Sequence, residues 1–147
     1  DSFLRQVHRK NYLEVSHLHF RLSFFDSEAQ FLFHQFFLDR LFYSSGKKMA
    51  QKPSAAVAIA RRGGTETSFD VTNKYFAINE MPIVTSTYWN NVFGFNPSDA
   101  EKDLEGLQTM RSLGENMAWL LKCIAAGKAA NVPMPVYEKR IATNFIR

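Results

Sequence analysis

Two arginines, two glycines and a threonine follow directly on an apolar run: Arg61-Arg62-Gly63-Gly64-Thr65 after AAVAIA, Ala55 to Ala60. Arginine carries a permanent charge on a planar fork of donors. Glycine accepts positive φ and lets another group approach the backbone closely. The amides of a strand-to-helix turn point outward and can take an anion or a polar ring edge. Together these residues suit a flat, electron-rich ligand with a polar edge. They also suit a plain glycine turn with two solvated arginines, and residue types alone leave both readings open. A second cluster, YWNNVFG from Tyr88, groups Tyr88, Trp89 and Phe93 with Asn90 and Asn91. Aromatic residues near a strand end can wall a ring-binding pocket, or fill a core or a subunit contact.

Other reactive side chains make weaker patterns. His17 and His19 share one face of an expected strand, with Asp26 as the nearest carboxylate, and His34 stands apart. That spacing favours structural or surface histidines over a metal site, and no metal is expected. Cys123 is the single cysteine, so neither an internal disulfide nor a cysteine-based metal site is possible within the chain. Its setting, AWLLKCIAA, predicts a small buried hydrophobe, and a reducing cytoplasm is the expected compartment. Asp39-Arg40 reads as a local ion pair or a cap for a neighbouring loop. No Ser-His-Asp or Cys-His nucleophile pattern is present.

The elements that must position these residues follow from periodicity. The 147 residues suit one domain, and 46% apolar content suits a globular core. The first 43 residues hold nine of the fourteen phenylalanines and all four histidines. Residues 16–25 alternate like a strand. Residues 28–43 read as a helix with Phe33, Phe36, Phe37, Leu41 and Phe42 on one face. Residues 55–60 predict a buried strand, 61–67 a loop, and 68–80 a helix. Pro82 restarts the chain into a strand over 83–89, followed by an aromatic loop over 88–97. Ser98 and Glu101 form a capping-box pattern that opens a long helix to Gly127. Its expected apolar stripe is Leu104, Leu107, Met110, Met117, Leu121 and Ile124. The tail, with two prolines and no period, reads as an extended arm. Alternation of strand and helix signals a parallel sheet covered by helices, with ligands at the carboxyl ends of the strands.

Charge and hydropathy narrow the partners. The net charge is +4, but the bases are scattered and form no run of five, so a solvated basic surface is expected rather than nucleic-acid binding. No uncharged apolar stretch of about 18 residues occurs, so no membrane partner is expected. The first residues, DSFLRQVHRK, show no basic-then-apolar leader pattern.

Several segments together resemble the flavodoxin-like NADPH-dependent FMN reductases. They are LDRLFYSSG from Leu38, KPSAAVAIARRGGTETSFDVTNKYFAINEMPIVTSTYWNNVFG from Lys52, DLEGLQTMRSLGENMAWLLKCIAAGK from Asp103, and the closing TNFIR. The resemblance implies an α/β fold: a doubly wound parallel sheet of five strands with helices on both faces. Residues 38–130 would form the family-like core of a single domain, with a divergent aromatic front end over 1–37 and an extended arm over 131–147. It implies FMN as cofactor and NADPH as co-substrate. The ring would lie beside Ala60, Arg61, Arg62, Gly63, Gly64 and Thr65, and near Tyr88, Trp89 and Asn90. Arg61 or Arg62 would stand near the N1 edge and stabilise the reduced, anionic ring. Electrons would pass to a small-molecule acceptor such as a quinone or a free flavin, or to an iron–sulfur partner, and the protein would work as a homodimer or homotetramer. The family's Ser/Thr-rich phosphate loop has no counterpart in residues 1–37, so the expected fold is N-terminally truncated. The alternative is a non-catalytic flavodoxin-like remnant acting as an oligomeric or binding module.

Overall fold

The computed structural model describes residues 28–139, 141–143 and 145, with side chains from Gln35 onward. The expected strand over 16–25, with His17 and His19, and the side chains of Phe33 and His34 lie outside what is described. The first element is helix α1, Glu28–Ser44, followed by a 3-10 turn at Gly46–Met49. Leu38 and Phe42 are one turn apart and buried, with Leu41 beside them. Phe36 and Phe37, expected on the same face, are 68% and 47% exposed. The buried stripe is narrow because, among the described elements, α1 packs on α2 and the 3-10 turn, so only residues three and four apart reach that contact.

Strand β1 is Ala58–Ala60 and β2 is Asn91–Phe93, and they pair in parallel with Ala58 opposite Asn91 and Ala60 opposite Phe93. An isolated parallel bridge joins Ser54 to Ile83. From that bridge to the first β pair, one strand advances from 54 to 58 while the other advances from 83 to 91. Between Val84, whose N donates to Ser54 O, and Asn90, whose O accepts from Ala58 N, residues 85–89 leave the ladder, which corrects the expectation of a continuous strand over 83–89. The cause is local: Ser86 Oγ donates to the carbonyl of Tyr88 and to Asn90 Oδ1, both at 2.6 Å. Such side-chain bonds offer the backbone an alternative to the ladder.

Helix α2, Thr65–Ile78, links the strands and packs on both β1 and α1. It starts three residues before the expected Ser68, because Gly64 at φ 91° turns the chain into the helix immediately. Its end is a Schellman reversal: Met81 N donates to Phe76 O and Glu80 N to Ala77 O, with Glu80 at φ 58°. Between α1 and α2 lies the core of Leu38, Phe42, Ala56, Tyr75, Phe76 and Met81. Phe42 stacks on Tyr75 at 5.5 Å and meets Phe76 edge-on at 5.8 Å.

The capping box does not open the long helix. Asn96, not Ser98, caps a short helix α3, Pro97–Ala100, by accepting from Asp99 N. Asp103 then caps α4, Leu104–Ala129. Only Gly106, Thr109 and Leu113 of α4 are buried. The expected stripe is displaced: Leu104 and Leu121 are exposed, while Leu107, Met110, Met117 and Ile124 are half-buried. Cys123, expected inside, is exposed. Both corrections have one reason: the described partner of α4 is β2, a three-residue strand that covers the first turns alone. The elements are those of a mixed α/β fold with parallel strands joined through a helix, consistent with a flavodoxin-like architecture. Among the described residues the sheet has two strands rather than five.

Candidate functional site

Parallel pairing brings the carboxyl ends of β1 and β2 to one edge. There the loop Arg61–Gly64 faces the loop Gly94–Asn96. Gly94 N donates to Ala60 O at 3.1 Å, so the two loops leave the sheet side by side. The Arg61 guanidinium lies over the Phe95 ring, 4.6 Å from its centroid. Arg62 is exposed, with no ion pair, hydrogen bond or ring contact among the described residues.

The first loop is open on its outer side. A Cβ added at Gly63 or Gly64 would meet nothing within 4 Å. Gly64 occupies the α2 cap position and offers no side-chain oxygen to the first amides. Thr65, the first helical residue, is 1% exposed, and its Oγ1 has no hydrogen-bond partner among the described residues. A buried hydroxyl without a partner costs about 1–3 kcal/mol. An uncapped helix start, an open glycine approach and an orphaned hydroxyl fit a ligand with an anionic or carbonyl-bearing edge.

The second loop is rigid. A Cβ at Gly94 would collide with the Ala100 backbone, 2.7 Å from its Cα. Asp103 works in two directions: Oδ1 accepts from Gly106 N at 2.9 Å, and Oδ2 accepts from Phe93 N at 2.7 Å. One carboxylate therefore caps α4 and holds the end of β2.

Tyr88, Trp89 and Asn90 sit elsewhere than expected. They belong to the excursion before β2, not to the strand-end loop. Tyr88 and Trp89 are 59% and 50% exposed and lean on each other at 4.8 Å. Asn90 is 1% exposed; its Nδ2 donates to Ala56 O at 2.9 Å and its Oδ1 accepts from Ser86. Its amide braces the excursion against β1, and Asn116 of α4 adds a bond to Thr85 O at 2.8 Å. The residue that meets the arginine loop is Phe95. Its position in the expected aromatic loop was visible in VFGFNP, but only the parallel register places it opposite Arg61.

Among the described residues Asp39 makes no ion pair and caps no loop. Its Oδ1 accepts from the Tyr75 hydroxyl at 2.6 Å, and that hydroxyl accepts from Gln35 Nε2 at 2.9 Å. Burial, and then the Asp39 carboxylate beside it, push the Tyr75 pKa up to about 12. This network holds α1 on α2. Among the described residues no group of three or more His, Cys, Asp or Glu gathers as a metal ion requires, and no helix is long and apolar enough to cross a membrane.

An alignment over 86 positions, covering 54% of the chain, is 34% identical to an iron–sulfur flavoprotein from Methanocaldococcus jannaschii. It covers 45% of that protein, so the chain spans about half the length of the curated relative it matches. No family model and no solved structure matches the chain.

Proposed function

We propose that the chain is the ring-binding part of a flavin-dependent oxidoreductase, with FMN held at the Arg61–Thr65 edge. The observation that carries this is the open arginine–glycine bend beside the orphaned Thr65 hydroxyl, at the carboxyl ends of two parallel strands. The likeness to a flavoprotein supports it. Thr65 Oγ1 and the first α2 amides would meet the polar edge of the ring, and an arginine would face its electron-rich end. When bound, the flavin supplies two-electron chemistry, taking a hydride from NADPH and returning both electrons to a small acceptor. An iron–sulfur cluster does not fit these residues, since four thiolates are the usual ligand set and the chain has one cysteine.

Titrating the full chain into FMN and following fluorescence quenching tests this reading. Saturable binding is expected, weakened when Arg61 and Arg62 are both changed to Ala, with circular dichroism unchanged. Absence of binding in the wild type, or an unaltered affinity in the double variant, removes the bend from the site. A second reading, an oligomeric binding module without catalysis, is favoured by large apolar side chains left uncovered among the described residues. Trp119 on α4 is 67% exposed, and Ile141 and Phe145 in the arm are 89% and 90% exposed. A colourless protein that sediments as a dimer or larger and ignores FMN would establish it.

A further inference from the structure

Two adjacent arginines in one bend have different surroundings, and that difference carries chemistry. Arg61 is engaged: its guanidinium lies 4.6 Å from the Phe95 centroid. Phe95 itself is 70% exposed, so core burial does not explain an aromatic residue there. Its backbone is fixed on both sides. Gly94 is bonded to Ala60 and pressed against Ala100, and Asn96 Oδ1 accepts from Asp99 N at 3.0 Å and from Ser98 Oγ at 2.6 Å. The ring is therefore a platform on the rigid loop, and the arginine of the open loop rests on it. Arg62, the next residue, has no such partner among the described residues.

We infer that the two arginines divide the work: Arg61 is a clasp holding the glycine bend against the β2 loop, and Arg62 is the charge offered to the ligand. The inference rests on the flavin reading above. Arg61 is a positioning residue that acts through Phe95. It fixes the gap between the loops and so the approach to Gly63, Gly64 and Thr65. Arg62 is free to settle beside the electron-rich end of the ring. A cation there favours the reduced, more negative ring and raises its reduction potential.

The experiment uses the full chain with FMN, and R61A, R61K, F95A, R61A/F95A and R62A beside the wild type. Affinity is read by fluorescence quenching and the midpoint potential by equilibration with redox dyes. R61A and F95A should each weaken FMN by the same factor, about three-fold for an exposed cation–ring contact. The double variant should be no weaker than either, R61K should recover part of the loss, and the potential should stay unchanged in all four. R62A should lower the potential. A drop in potential for R61A equal to that for R62A overturns the division, as does full affinity in F95A. The same cycle read by thermal unfolding of the flavin-free protein decides the clasp separately. Equal losses in R61A and F95A that do not add support it, and additive losses refute it. A wild type that fails to bind FMN refutes the flavin reading, while this unfolding cycle still decides the clasp.

Discussion

At the scale of single residues, the group pushed furthest from its ordinary titration among the described residues is Tyr75. Its hydroxyl sits between the Asp39 carboxylate and the Gln35 amide, under the Phe42 ring. Loss of its proton would place a buried negative charge beside a carboxylate, so the folded-state pKa rises from 10.0 to about 12. The stability linked to this shift is complete below pH 10, where the tyrosine is protonated folded or unfolded. It is lost as pH climbs from 10 towards 12, where the unfolded chain releases a proton that the folded chain retains. Tyr75→Phe should cost about 1 kcal/mol at neutral pH by stranding Asp39 and Gln35. It should also flatten the fall in unfolding temperature between pH 10 and 12. Thermal melts across that range check both effects, and parallel alkaline profiles for the two proteins would count against the network.

At the scale of elements, the chain is punctuated by side chains that serve two neighbours. Asp103 caps α4 and holds β2, so Asp103→Ala removes a cap and a strand-end bond together. A loss of about 1–3 kcal/mol is expected by chemical denaturation, and a smaller one for Asp103→Asn, which keeps an acceptor for one of the amides. Equal losses for the two variants would show that the one bond Asn can retain adds nothing. Helix ends obey the same economy. Just past the ends of α2 and α4, Glu80 and Asn131 are both left-handed, and at each a later amide reaches back to close the turn: Met81 to Phe76 and Val132 to Gly127. Helix existence was legible because apolar spacing and stop residues are local signals. The helix starts were not, because Ser98, Asp103 and Asn96 are all competent caps. Which oxygen meets an amide depended on where β2 ended.

At the scale of the molecule, the C-terminal arm shows how distant parts are joined. After the reversal at Asn131, Pro133 and Pro135 keep the chain extended. Tyr137 then docks at the turn after α1: its hydroxyl accepts from Gln51 Nε2 at 2.9 Å, and Lys47 Nζ lies 5.0 Å from its ring centroid. Tyr137→Ala should therefore release the arm, and tryptic cleavage after Lys139 should quicken several-fold, with Tyr137→Phe intermediate. An unchanged cleavage rate would mean that this contact does not hold the arm. The sequence by itself determined the strand–helix–strand–helix order from Ala55 onward, the parallel α/β class and the arginine–glycine bend, because each is written in neighbours within a few turns. Tertiary structure alone decided that Phe95 faces Arg61, that the Asn90 amide braces the excursion against β1, that Asp39 holds Tyr75, and that Cys123 lies outside. Those outcomes depend on strand register and on how far a short strand can cover a long helix, which are relations between segments remote in the chain.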